Sequence, residues 1–148
     1  MTIDREYAPS PTDWVREQAD AYEASNGTEA ADFQGIPIVL LTTVGAKSGK
    51  LRKSPLIRIE HEGQYAVVAS NGGQTSHPAW YGNIVKNPRV TLQDGAERRE
   101  YVARQVDGAE YGQWWQRGVD VYSGFTGYID TANRTIPIFV LSPVEDGA

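Results

Sequence analysis

A chain of 148 residues, 40% apolar and 22% charged, is long enough for a globular domain with its own core. Its net charge of −5 and pI near 5.0 exclude the broadly basic surface that non-specific nucleic-acid binding needs. The absence of cysteine excludes disulfides, thiolate metal centres and cysteine nucleophiles, and two histidines are too few for a dedicated zinc site, so no metal is expected.

In chain order, the start Met1-Thr-Ile-Asp-Arg-Glu-Tyr7 carries no signal-peptide core, and no stretch nears the roughly 20 apolar residues of a membrane span. A cytoplasmic protein is the expectation, with peripheral association at the inner face of the membrane left open. Ser10 reads as a helix cap, Pro11 as the first helical residue and Asp13 as the close of a capping box. Trp14, Val15, Ala19 and Tyr22 then form an apolar stripe that ends at Asn26-Gly27. Residues 28–35 read as a loop and Pro37 to Thr43 as a central strand. Arg52 to Glu60 alternates and Gln64 to Ser70 is a further strand, the two predicted to form a hairpin about His61-Glu62-Gly63. Asn71-Gly72-Gly73 breaks the sheet. His77-Pro78 opens a helix over Ala79 to Lys86, closed by Asn87-Pro88. Val90 to Gln93 and Glu97 to Val106 flank Asp94-Gly95, a strong hairpin signal. Asp107 to Tyr122 reads as a helix, residues 123–134 as an aromatic loop, Ile136 to Leu141 as a last strand and Glu145 to Ala148 as a polar tail.

About six mostly antiparallel strands, an N-terminal helix and two further helices make an α+β chain built as a small barrel. Hairpin connections argue against a doubly wound sheet. A single domain is expected over residues 1–148, with the N-terminal helix and loop at 1–35 and the barrel core at 36–143.

Four segments carry candidate chemistry. Lys47, Lys50, Arg52 and Lys53 crowd the turn after the first long strand, and Gly45 and Gly49 let its backbone turn tightly. On an acidic protein such a turn reads either as a cradle for phosphate or carboxylates or as a solvated hairpin loop. Ser70-Asn71-Gly72-Gly73 offers hydroxyl, amide and N–H groups at a sheet edge, or is an ordinary polar turn. Pro78-Ala-Trp-Tyr-Gly-Asn83 places aromatic residues in the first turn of a helix, as a core-facing stripe or as a helix start that receives an anion or a planar ring. Tyr122, Phe125 and Tyr128 stand three residues apart, as loop packing or as a pocket mouth. No Ser-His-Asp set, carboxylate pair or metal-ligand cluster is recognisable.

Taken in register, these segments resemble the deazaflavin-dependent nitroreductase family of actinobacteria. The shared order is a Leu-Leu-Thr-Thr strand, a Gly-x-Lys-Ser-Gly turn, Arg-x-x-Pro-Leu, Ser-Asn-Gly-Gly and Pro-Ala-Trp-Tyr-x-Asn, followed by the aromatic segment and Asn133-Arg-Thr-Ile-Pro-Ile138. The resemblance implies a split β-barrel of the FMN-binding type that uses coenzyme F420. It implies that Ala46, Lys47 and Ser48 meet the coenzyme's acidic tail. Arg52, Lys53, Ser54, Pro55 and Leu56 would line the tail and linker. Val68, Ala69, Ser70 and Asn71 would meet the phosphate and deazaflavin region, and Ala79, Trp80, Tyr81, Gly82 and Asn83 the phosphodiester. Tyr122, Phe125 and Tyr128 would form the substrate side, with Tyr122 and Tyr128 orienting the acceptor. Ala46 stands where the family often has Arg, Asn71 where some members have Lys, and Phe125 where the nitroimidazole-activating member has Tyr.

The implied activity is hydride transfer from reduced F420 to an electron-poor acceptor: a quinone, an activated enone or lactone, or a nitroaromatic. The alternatives are an FMN-dependent split-barrel oxidoreductase and a non-catalytic deazaflavin-binding protein. The expected partner is a small-molecule acceptor, and the expected assembly a monomer or homodimer.

Overall fold

A computed structural model of the protein describes residues 6–144; residues 1–5 and the polar tail expected at Glu145–Ala148 lie outside them. The described chain runs α1 (Asp13–Ala24), β1 (Asp32–Phe33), β2 (Ile36–Val44), β3 (Leu51–Ile57), β4 (Glu60–His61), β5 (Gln64–Val68), a 3₁₀ turn (Asn71–Gly73), α2 (Ala79–Lys86), β6 (Arg89–Asp94), β7 (Glu97–Gln105), α3 (Gly108–Val121), α4 (Phe125–Ala132) and β8 (Ile138–Pro143). The strands form one curled antiparallel sheet. β3 and β1 lie against β2, and β6, β7, β8, β5 and β4 follow in that order.

Alternation along the strands sorts the side chains into layers. Val39 and Leu41 of β2, Tyr65 and Val67 of β5, and Phe139 and Leu141 of β8 face the concave core, where Trp80 and Ile84 of α2 join them. Their neighbours point the other way. Ala66, Val68, Ile138 and Val140 pack against α3 and α4 through Trp114 and Phe125, while Ile38 and Leu40 pack on Ala19 and Tyr22 of α1. Each fully buried large apolar side chain contributes about 1.5–3 kcal/mol relative to exposure. Strands buried on both faces, as β2 and β8 are, therefore read as continuous apolar runs.

The Asp94-Gly95 signal forms the expected hairpin, with Asp94 paired to Glu97. The hairpin expected between Arg52–Glu60 and Gln64–Ser70 is different. β3 pairs with β2, not with β5. Only Glu60 and His61 turn back onto Tyr65 and Gln64. The chain changes partners within two residues: the Arg58 N–H donates to the Pro37 carbonyl (3.0 Å), and the Ile59 carbonyl accepts from the Ala66 N–H (2.9 Å). One extended run thus serves both halves of the sheet, and its turn signal fixed only the second half. Beyond this bend β3 and β5 diverge, and the barrel is split between them.

Two further expectations are corrected. The first helix starts at Asp13 with Thr12 in the cap position, because the Ser10 hydroxyl accepts the Thr12 N–H (3.1 Å) in a local turn of its own. Residues 123–134, expected as loop, hold the helix α4, so there are four helices among the described residues. Gly124 and Gly127 masked a helical spacing; Asn133 ends the helix in the left-handed region (φ 51°).

Candidate active site

The split is a cleft of about 450 Å³. One wall is Ser54, Pro55, Leu56 and Ile57 of β3, whose outer edge has no strand partner at these positions among the described residues. Proline suits that edge, since it has no N–H to leave unpaired. The opposite wall is Val68 of β5 with Ser70, Asn71 and Gly72. Pro78, Ala79 and Trp80 contribute the start of α2. Thr12, Trp14, Val15 and Gln18 overhang from α1, and Tyr122, Phe125 and Tyr128 from the α3–α4 corner. No Asp, Glu, Lys, Arg or His stands among the lining residues described.

The aromatic corner is built by close packing. The Tyr122 ring meets Phe125 edge-on at 5.0 Å and Phe33 at 5.9 Å. The Tyr122 and Tyr128 hydroxyls are 2.9 Å apart. Burial, and then the hydrogen bond to Tyr122, push the Tyr128 phenol up to about 12. Gly124 allows the corner to close, because a Cβ there would collide with the Tyr122 ring. Gly73 does the same below α4: a Cβ would meet Tyr128 Cδ1 at 2.8 Å, and its φ of +82° already favours glycine.

The cationic turn lies outside the cleft, and its groups are partly committed. The Ala46 N–H donates to Asn83 Oδ1 (2.9 Å), the Ala46 carbonyl accepts from Lys86 Nζ (2.8 Å), and Asn83 Nδ2 donates to Thr43 Oγ1 (3.2 Å). Asn83 is thus buried and fastens the turn to α2. The Ser48 hydroxyl accepts the Lys50 N–H (3.1 Å) within the turn. Lys50 pairs with Glu6 (3.2 Å) and Lys53 with Glu23 of α1 (2.5 Å). Arg52 Nη1 donates to the Ala8 and Pro9 carbonyls (3.2 and 3.3 Å), which satisfy donors without neutralising its charge, and no carboxylate pairs with it among the described residues. Lys47 is exposed, with no ion-pair partner among the described residues.

The structure therefore divides the sequence-predicted set. It brings Ser54, Pro55, Leu56, Val68, Ser70, Asn71, Ala79, Trp80, Tyr122, Phe125 and Tyr128 into one cleft. It leaves Ala46, Lys47, Ser48, Arg52 and Lys53 at the turn. Ala69 is fully buried in the core, Tyr81 stacks on His77 (4.1 Å between ring centres), and Gly82 is on the exposed face of α2. Sequence reasoning missed the α1 overhang, where Trp14 is 59% exposed rather than core. It also missed Phe33, which has no local signal, and Lys86, whose ammonium reaches the turn only through the fold.

The F420H2-dependent quinone reductase family matches residues 14–143. An F420H2-dependent quinone reductase of Mycobacterium tuberculosis is 32% identical over 125 residues, covering 82% of this chain and 84% of the relative. A solved structure described as an F420-H2 dependent reductase shares 46% identity with a TM-score of 0.68, over 72% of this chain and 94% of that one. A second, described as a domain-swapped dimer, shares 44% identity with a TM-score of 0.71, over 90% of this chain and all (100%) of that one. The haem storage protein HutZ of Vibrio cholerae, at 17% identity and a TM-score of 0.56 over 76% of this chain and 84% of that one, shares the split-barrel fold alone. The chain belongs to the F420H2-dependent quinone reductase family: it is an oxidoreductase whose cofactor is coenzyme F420.

Proposed function

We propose that the cleft between β3 and β5 receives the deazaflavin end of the coenzyme and a quinone stacked beside it, under Tyr122, Phe125 and Tyr128. The observation that carries this reading is the cleft's lining: mostly apolar and aromatic, uncharged among the described residues, with hydroxyl and amide groups contributed by Thr12, Gln18, Ser54, Ser70 and Asn71. Such a lining suits two planar, weakly polar rings and keeps water away from them. The residues present also suit the rest of the coenzyme. The N–H groups that open α2 have no side-chain cap, and Ala79 and Trp80 line the cleft, a setting for the phosphodiester. Lys47, Arg52 and Lys86 have no ion-pair partner among the described residues, lie beyond it and suit the acidic tail. When bound, the reduced coenzyme supplies the hydride.

The chain's own part is placement. Pro55 to Ile57 and Val68 form the apolar walls that hold the rings in register. The tyrosine pair offers an O–H to an acceptor oxygen. Lys50 and Lys53, neutralised by Glu6 and Glu23, contribute less to the tail than Lys47 and Arg52. The reading covers a single-domain cytoplasmic protein acting on a small-molecule acceptor. The neighbour described as a domain-swapped dimer supports a homodimer as its assembly.

Fluorescence titration with F420 and with FMN tests this proposal. F420 is expected to bind more tightly, and its advantage to shrink as salt screens the exposed cations. Tighter FMN binding, or an F420 affinity indifferent to salt, would overturn the assignment of the turn. Coenzyme binding without turnover on any quinone would leave a carrier in place of a reductase.

A further inference from the structure

Arg134 stands behind the cleft wall and makes an unusual set of contacts. Its Nη2 donates to the carbonyls of Ala69 (3.1 Å), Ser70 (3.2 Å) and Ser76 (3.0 Å). Its Nε donates to the Gln74 carbonyl (3.3 Å) and Nη1 to that of Thr135 (3.4 Å), with Nη1 also 3.2 Å from His77 Nδ1. One half-buried guanidinium thus gathers five backbone carbonyls, four of them from the Ala69–Ser76 segment. No carboxylate pairs with it among the described residues.

Peptide geometry gives these contacts a direction. In a trans peptide the C=O and the following N–H point opposite ways, and no described bond is cis. With the Ala69 and Ser70 carbonyls turned back onto Arg134, the N–H groups of Ser70 and Asn71 point away from it. Neither N–H, nor that of Gly72, has a protein acceptor among the described residues, and all three residues line the cleft. The turn itself needs support. Asn71 and Gly72 both have positive φ (49° and 63°), closed by the Gly73 N–H on the Ser70 carbonyl (2.9 Å). A cation on the carbonyl side also polarises each peptide unit and strengthens its N–H as a donor.

We propose that Arg134 is a positioning residue of the coenzyme site. It holds the Ser70–Gly72 backbone so that its N–H groups face the cleft and receive a carbonyl or anionic oxygen of the bound coenzyme. This rests on the cleft being the F420 site. Lysine cannot replace it, since a single ammonium has three donors and no fork to span the carbonyls.

The test uses wild type, Arg134→Lys and Arg134→Ala, each titrated with oxidised F420 by fluorescence, with melting temperature and hydrogen exchange of residues 69–77 measured on the coenzyme-free proteins. Both variants are expected to lose about tenfold in F420 affinity or more and to exchange faster at the Gly73 N–H. In Arg134→Ala, guanidinium at low millimolar concentration, far below denaturing levels, restores affinity, and equimolar sodium does not. If Arg134→Ala does not fold, Arg134→Lys carries the comparison. Variants that melt earlier but bind F420 as wild type does would overturn the proposal and leave the coenzyme assignment standing. A wild-type protein that does not bind F420 would overturn both.

Discussion

Tyr122 and Tyr128 share one hydrogen bond between two hydroxyls, so the pair keeps a single O–H free for a ligand. Because Tyr128 is pushed up to about 12, it remains a neutral donor under physiological conditions. The sign is that of a raised acid: the proton stays on below the ordinary tyrosine value near 10 and leaves only as pH climbs through about 12. The pH profile of kcat/KM should therefore show no inflection from Tyr128 below about pH 10. Tyr122→Phe and Tyr128→Phe should each lower kcat/KM for a quinone by about 2- to 13-fold, the worth of one neutral hydrogen bond. The double variant, which removes both O–H groups from the corner, should fall further than either single. Steady-state kinetics beside coenzyme titration distinguishes this from packing, which would lower stability and coenzyme affinity together.

At the scale of elements, α4 is held against the 3₁₀ turn by the missing side chain of Gly73. Gly35 makes a control, because it has nearly the same φ (+83° against +82°) but nothing within 4 Å of its would-be Cβ. Gly35→Ala should cost about 1–2 kcal/mol for the backbone alone. Gly73→Ala should cost about 1–3 kcal/mol more, because Tyr128 and Thr131 must move. Urea denaturation of both variants measures the difference, and equal losses would mean that α4 yields freely. The sequence made much of this level legible. A continuous apolar run gave β2, Asp94-Gly95 gave the hairpin of β6 and β7, and Pro78 and Asn87-Pro88 bounded α2. What it concealed was non-local. Glycine signals hid α4, whose spacing of three belongs equally to a helix. The turn at Glu62-Gly63 is real, yet nothing local says that the run leading into it changes partners at Arg58. The residue types of the site were readable for the same reason that their partners were not: Lys47 and Lys53 look alike in sequence, and only the fold sets Glu23 against one of them.

For the whole molecule, the last of the described strands in chain order lies inside the sheet. β8 pairs with β7 on one side and β5 on the other, joining Val68 to Ile138 and Tyr101 to Pro143. Until residues 138–143 are available, β5 and β7 present raw edges and the concave core lacks Phe139 and Leu141. The consequence concerns time rather than shape. A nascent chain cannot complete this fold while β8 is still inside the ribosome, and refolding must wait for closure of a loop of some seventy residues between β5 and β8. Folding on the order of milliseconds to seconds is expected, as for other sheets of non-local pairing. A chain cut after residue 135 should show no cooperative unfolding transition and should aggregate through its open edges. A wild-type-like transition in that fragment would mean that the remaining strands form a stable sheet first, with β8 a late addition to a finished protein.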